Sequence, residues 1–172
     1  MPAAGMPVPG RKLSVIEMKR IRLGRTRHGG LLLLALLASG AGADCATFEI
    51  VGDGITLPLG GQTGNPEAGR RVAAERQRGD CSICHQLPLP NDHFHGNVGP
   101  DLTAISTRLT PAQIRLRVAA NRQMNPESVM PDYCSSRGRH EVAGPYAGEP
   151  ILTDQEIEDV VAWLSSLDGS AP

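Results

Sequence analysis

Apolar positions along this chain fall into one unbroken block, Leu31–Leu37, and three later stripes separated by polar stretches rich in glycine and proline. The block is LLLLALL, far shorter than the ~20 residues a membrane-spanning helix needs. The other three groups carry helix signals. Asn65-Pro66-Glu67 supplies a cap residue, a proline at the first helical position and an early acid, which predicts a helix from 65 to about Gln77, stopped by Gly79. Gly69 and Ala73 lie one turn apart on it and form a small-residue notch. Thr110-Pro111-Ala112-Gln113 opens a second helix with a capping-box pattern; Ile114 and Val118 share one face, with Arg115 and Arg122 placed elsewhere. Thr153-Asp154-Gln155-Glu156 opens the last helix with another capping box, and Ile157, Val160, Val161 and Leu164 follow the i, i+3, i+4, i+7 stripe, bordered by Trp163. Residues 86–101 and 131–150 show no period and predict loops. Residues 46–64 predict an N-terminal arm holding at most a short strand from Phe48 to Val51, with no strand pair.

The first block belongs to a leader. Lys19, Arg20, Arg22, Arg25 and Arg27 make a basic region, Leu31–Leu37 the apolar region, and Ala41-Gly42-Ala43 an A-x-A cleavage site. Residues 1–43 therefore predict a signal peptide, with Met18 as an alternative start and 1–17 as an upstream extension; a retained anchor is the other possibility. The basic region holds no twin-arginine pair, so the expected export is of unfolded chain. Gly42-Ala43-Asp44 before Cys45 is a poor lipidation context, which favours a soluble periplasmic protein starting near Asp44. The leader holds seven basic residues against Glu17 alone, so its removal takes the net charge from −1 to −7. All ten remaining cations are arginines. So acidic a body is a poor match for nucleic acid. Aromatic residues make up 3% of the chain, which leaves a thin core unless something large and apolar fills it.

Cys81-Ser82-Ile83-Cys84-His85 names that filler. Two thiols at this spacing reach two vinyl groups on one edge of a haem and form thioethers, and the histidine that follows is carried under the ring to ligate iron. The competing assignments are a thiol redox pair, which wants a βαβ context absent here, and a zinc site of Cys81, Cys84, His93 and His95, which leaves His85 idle. The expected cofactor is one covalent haem c with His85 as an axial ligand. For the sixth position Met130 is the first candidate, since it follows the second helix and precedes Pro131. Met124, His93, His95, His140 or an open position are the alternatives. A thioether ligand favours ferrous iron and raises the reduction potential, and two filled axial positions favour electron transfer over chemistry on the iron. No catalytic nucleophile or acid/base pair is expected in this chain.

A helix before the haem tether, a helix at the far end and loops between resemble class I cytochromes c. The resemblance implies an all-α fold in which the first and last helices cross around one covalent haem, with Gly69 and Trp163 as the meeting point. It further implies that Pro100, in Gly99-Pro100-Asp101-Leu102, offers its carbonyl to the far nitrogen of His85, and that Met130 is the distal ligand. The expected layout is a leader (1–43), an arm (44–64) and a mono-haem domain (65–168).

A closer likeness lies in the joint order of Gly52–Ile55, Pro58-Leu59, Pro88-Leu89-Pro90, Gly96–Leu102, Leu109, Ala112–Arg117, Asn125-Pro126, Met130–Tyr133, Pro150–Thr153 and Glu158–Leu164. It resembles the SoxX family, small mono-haem subunits of SoxAX in sulfur oxidation. The resemblance implies a heterodimer with a larger SoxA-type haem subunit. That complex couples thiosulfate oxidatively to a cysteine of the carrier protein SoxYZ, an L-cysteine S-thiosulfotransferase activity, and passes electrons to a soluble cytochrome. The bond-forming site then belongs to SoxA, and this chain takes the electrons. The alternative is a free-standing shuttle cytochrome. Cys134 departs from that family's pattern, where an aromatic residue is more usual, and Cys45 is the other thiol outside the haem motif. Two spare thiols in an oxidising compartment suggest a Cys45–Cys134 disulfide; two free thiols, or a bond to a partner chain, are the alternatives.

Overall fold

Three α-helices pack around a core that they share with the N-terminal arm. The computed structural model describes residues 44–90 and 94–170; the expected leader and His93 lie outside them. Among the described residues no helix is long and apolar enough to cross a membrane.

Helix α1 spans Pro66–Ala74. The Asn65 side chain accepts from the Ala68 N–H at 2.9 Å, with Pro66 at the first helical position. The helix stops three residues short of the predicted Gln77. The Val72 carbonyl is taken by the N–H groups of Glu75 (3.3 Å) and Gly79 (3.1 Å), which folds the chain back before Cys81. Asp80 completes the reversal in the left-handed region, at φ 42°.

Helix α2 spans Pro111–Met124 and α3 spans Asp154–Leu164. Both open with the capping boxes read from sequence, Thr110 with Gln113 and Thr153 with Glu156. The predicted stripe of α3 is buried: Ile157, Val160, Val161 and Leu164 pack with Trp163, Ala73, Leu116 and Ala119. Each fully buried aliphatic side chain contributes about 1.5–3 kcal/mol relative to exposure.

The α1–α3 crossing is built on Gly69, but its partner is not Trp163. A Cβ on Gly69 would stand 2.0 Å from the Asp159 carbonyl oxygen and 2.8 Å from the Val160 nitrogen. The helices meet backbone to backbone, one turn before the tryptophan. A side chain of any size there would force them apart.

The arm departs furthest from the sequence expectation. Ile50–Val51 (β1) pairs antiparallel with Gly54–Ile55 (β2), Ile50 opposite Ile55 and Val51 opposite Gly54. The two-residue turn between them has Gly52 at φ +63°, a conformation that glycine adopts freely. The turn is locked on α2 by Gln113, whose side-chain amide donates to the Asp53 carboxylate at 2.7 Å.

Arg115 is the second correction. It lies in the core rather than off the apolar face, with its side chain 7% exposed and that of Glu158 on α3 4% exposed. The guanidinium donates to both carboxylate oxygens of Glu158, at 2.7 and 2.8 Å, and to the Ile55 carbonyl at 2.8 Å. Glu158 also accepts from the Leu59 N–H at 2.9 Å. Buried Asp159 accepts from the Asn65 N–H at 2.7 Å and the Gln155 side chain at 2.8 Å. The buried acids of α3 thus satisfy backbone groups of the arm that would otherwise lie unpaired.

Helix α2 is broken inside. Ala120 leaves helical geometry at φ −149°, ψ 53°. The Arg122 N–H, which an unbroken helix would direct to Val118, donates to the Asp132 carboxylate at 2.8 Å. The Val118 and Ala119 carbonyls accept from the N–H groups of Tyr133 (3.3 Å) and Cys134 (3.2 Å). The loop after α2 is thereby spliced into the helix's own hydrogen-bond ladder. At the far end of this loop Cys134 stands against Cys45 with their sulfurs at bonding distance and Cα atoms 5.3 Å apart.

Candidate functional site

Cys81–Ile83 form one 3-10 turn, with the Cys84 N–H (3.2 Å) and the His85 N–H (3.0 Å) both donating to the Cys81 carbonyl. The segment 96–102 runs alongside. Gly96 N–H donates to Ser82, Gly99 N–H to Cys84 (both 2.8 Å) and Leu102 N–H to Gln86 (3.0 Å). This ladder places Gly99 against the imidazole of His85, where a Cβ would lie 2.2 Å from Cε1 and 2.5 Å from Nδ1. It also sets the Pro100 carbonyl 2.7 Å from His85 Nδ1. Proline supplies a carbonyl with no N–H to compete, and glycine leaves room for the ring to lie flat.

Nδ1 bonded to a carbonyl is the protonated nitrogen, so Nε2 keeps its lone pair for a metal. The donor set therefore fits a covalent haem: two thiols on one turn, an imidazole held by its far nitrogen, and a glycine where bulk would tilt the ring. Cys81 is poorly hydrated, and burial, then the neighbouring Asp80 charge, pushes its thiol up to about 12. Of the zinc alternative, His95 is exposed and its Nδ1 lies 3.2 Å from the Gly96 carbonyl.

Met130 lies part-buried on the loop after α2, its N–H donating to Ser128 Oγ at 3.1 Å. Asn121 holds the same hydroxyl at 2.6 Å. Met124 is 42% exposed at the end of α2, and His140 is exposed on the following loop. The link between the methionine loop and the cysteine turn is Tyr133, which sequence analysis had not singled out. Its hydroxyl donates to the Gly79 carbonyl at 2.9 Å, two residues before Cys81. Burial, with Cys81 and Cys84 adding to it, pushes the Tyr133 pKa up, so the phenol stays a neutral donor. An aromatic residue three positions after a candidate ligand is the signal that could have found it.

Helices flanking a C-x-x-C-H turn, crossing on a glycine, with a proline carbonyl on the histidine ring, define a class I cytochrome c. The family model for cytochrome c matches residues 66–168, more than half of the chain. Among solved structures, the crystal structure of SoxXA from P. pantotrophus matches at 33% identity and a TM-score of 0.64, over 70% of this chain and 94% of that one. The c-type cytochrome SorU from Sinorhizobium meliloti matches at 27% identity over 60% of this chain and 90% of its own, at a TM-score of 0.38. No curated protein matches the sequence. The chain belongs to the cytochrome c family, and within it to the SoxX-type cytochromes. Membership implies a covalently bound haem c and a role in electron transfer.

Proposed function

We propose that this chain is the electron-accepting mono-haem subunit of a SoxAX-type complex in the periplasm, in which a larger haem subunit couples thiosulfate to a carrier-protein cysteine. The observation that carries the proposal is the likeness to a SoxXA structure along nearly the whole of that neighbouring chain. When bound, the haem supplies one-electron chemistry at its iron. The chain's own residues do the rest. Cys81 and Cys84 tether the group. His85 ligates through Nε2 while Pro100 fixes its ring and keeps the proton on Nδ1. Met130 is the sixth ligand, a soft neutral donor that favours the reduced state and so draws electrons forward. Held by both His85 and Met130, the iron would offer no seat for substrate, which fits a relay partnered by a separate catalytic subunit.

The test is purification of the tagged chain from its native periplasm. The expected result is a heterodimer with a larger haem protein, whose haem in this chain is reduced by thiosulfate when the carrier protein is present. Recovery of this chain alone, unresponsive to thiosulfate and carrier, overturns the proposal in favour of a free-standing shuttle.

A further inference from the structure

We infer that the N-terminal arm is a brace for the loop that carries the sixth iron ligand, acting through a Cys45–Cys134 disulfide; this rests on Met130 being that ligand. Cys134 is the fourth residue after Met130. On one side α2 holds the loop, by Arg122 to Asp132 and by Asn121 to Ser128, and Tyr133 ties it further to Gly79 and Leu152. The arm supplies the opposite side. The Cys45 N–H donates to the Cys134 carbonyl at 3.2 Å. Asp44 accepts from the Ser136 N–H (2.9 Å), the Ser136 hydroxyl (3.1 Å) and Arg137 Nε (3.0 Å). The arm is itself anchored, since the Ala46 N–H donates to Asp154 in the first turn of α3 at 3.1 Å. A continuous path of bonds therefore runs from the start of α3 through Ala46, Cys45 and Cys134 to the methionine loop.

The surroundings of the sulfurs point to a permanent brace rather than a switch. Cys134 is 4% exposed. An Asp154 carboxylate oxygen and both sulfurs lie within 4.8 Å of one another. Burial disfavours a thiolate at that sulfur, and the carboxylate repels an approaching one, so thiol–disulfide exchange is slow. The cross-link spans 89 residues. Closing so long a loop stabilises the fold by constraining the unfolded chain, while the tie of Cys134 to the anchored arm is what limits displacement of the methionine loop.

The test uses the haem-loaded protein. One sample is the Cys45→Ser/Cys134→Ser double variant. A second is folded wild type whose cysteines are reduced with a phosphine, alkylated, and whose iron is then reoxidised, so the result does not depend on the variant folding. Two quantities are read: the weak far-red charge-transfer band of methionine sulfur on ferric haem, and the imidazole concentration that half-displaces the ligand. The expected result is a diminished band and half-displacement at roughly tenfold lower imidazole in both opened forms. Unchanged band and imidazole affinity overturn the brace, as does wild type that alkylates at Cys45 or Cys134 without reductant. A wild-type band that survives Met130→Ala overturns the ligand assignment instead.

Discussion

In the proposed site His85 and Met130 would set the iron's potential by different means, and each depends on its immediate neighbours. Gly99 and Pro100 act on the histidine, the first by lacking a side chain 2.2 Å from the ring and the second by accepting at Nδ1. The role of Pro100 was legible in Gly99-Pro100-Asp101-Leu102, because family resemblance attached it to that string; the close approach of Gly99 was not. The hydroxyl bond of Tyr133 to Gly79 joins residues 54 apart and was not legible; only the place of this aromatic residue three positions after Met130 could have pointed to it. Met130 is testable alone. Replacement by histidine should keep the iron six-coordinate and lower the reduction potential, because imidazole favours ferric iron more than thioether does. Replacement by alanine should open the position to cyanide or imidazole. Potentiometric titration and ligand-binding spectra of the holoprotein check both outcomes.

Helix positions were the most readable part of the fold, since the caps are local chemistry. Thr110 with Gln113 and Thr153 with Glu156 each close a box within four residues. The end of α1 and the hairpin of the arm were not readable. The first is set by Glu75 and Gly79 closing back on the Val72 carbonyl, which no cap residue announces, and the second by a partner distant in sequence, Gln113 on α2 gripping the turn at Asp53. Arg115 misled for the same reason. An arginine on a helix reads as solvated until its carboxylate is known, and Glu158 lies 43 residues on. Arg115→Met should destabilise the protein by about 3–5 kcal/mol, because it leaves a buried carboxylate unpaired. The double replacement Arg115→Met/Glu158→Leu should recover a large part of that loss. Urea unfolding of the holoprotein measures both. A double variant no more stable than Arg115→Met would mean that the pair's further bonds, to Ile55 and Leu59, matter more than its charge.

As a whole molecule this is a thin-cored chain held at its ends by polar clips, and acid should find them. Burial works to raise the Glu156 pKa, but the Thr153 backbone and hydroxyl bonds and the Arg78 guanidinium outweigh it and hold the carboxyl below its ordinary 4.5. A lowered carboxylate stabilises the fold fully above that ordinary value, and the contribution fades as the pH falls through the folded one. Urea midpoints should therefore drop on acidification below 4.5, and Glu156→Gln should flatten part of that drop. The break at Ala120 reaches further. With Tyr133 and Cys134 donating to carbonyls of α2 and Arg122 donating to Asp132, helix and loop have no separate ladders to melt. Their backbone amides should exchange with deuterium as one foldon, to a common depth; with Met130 as the proposed ligand, it would then leave the iron about as often as the middle of that helix comes undone.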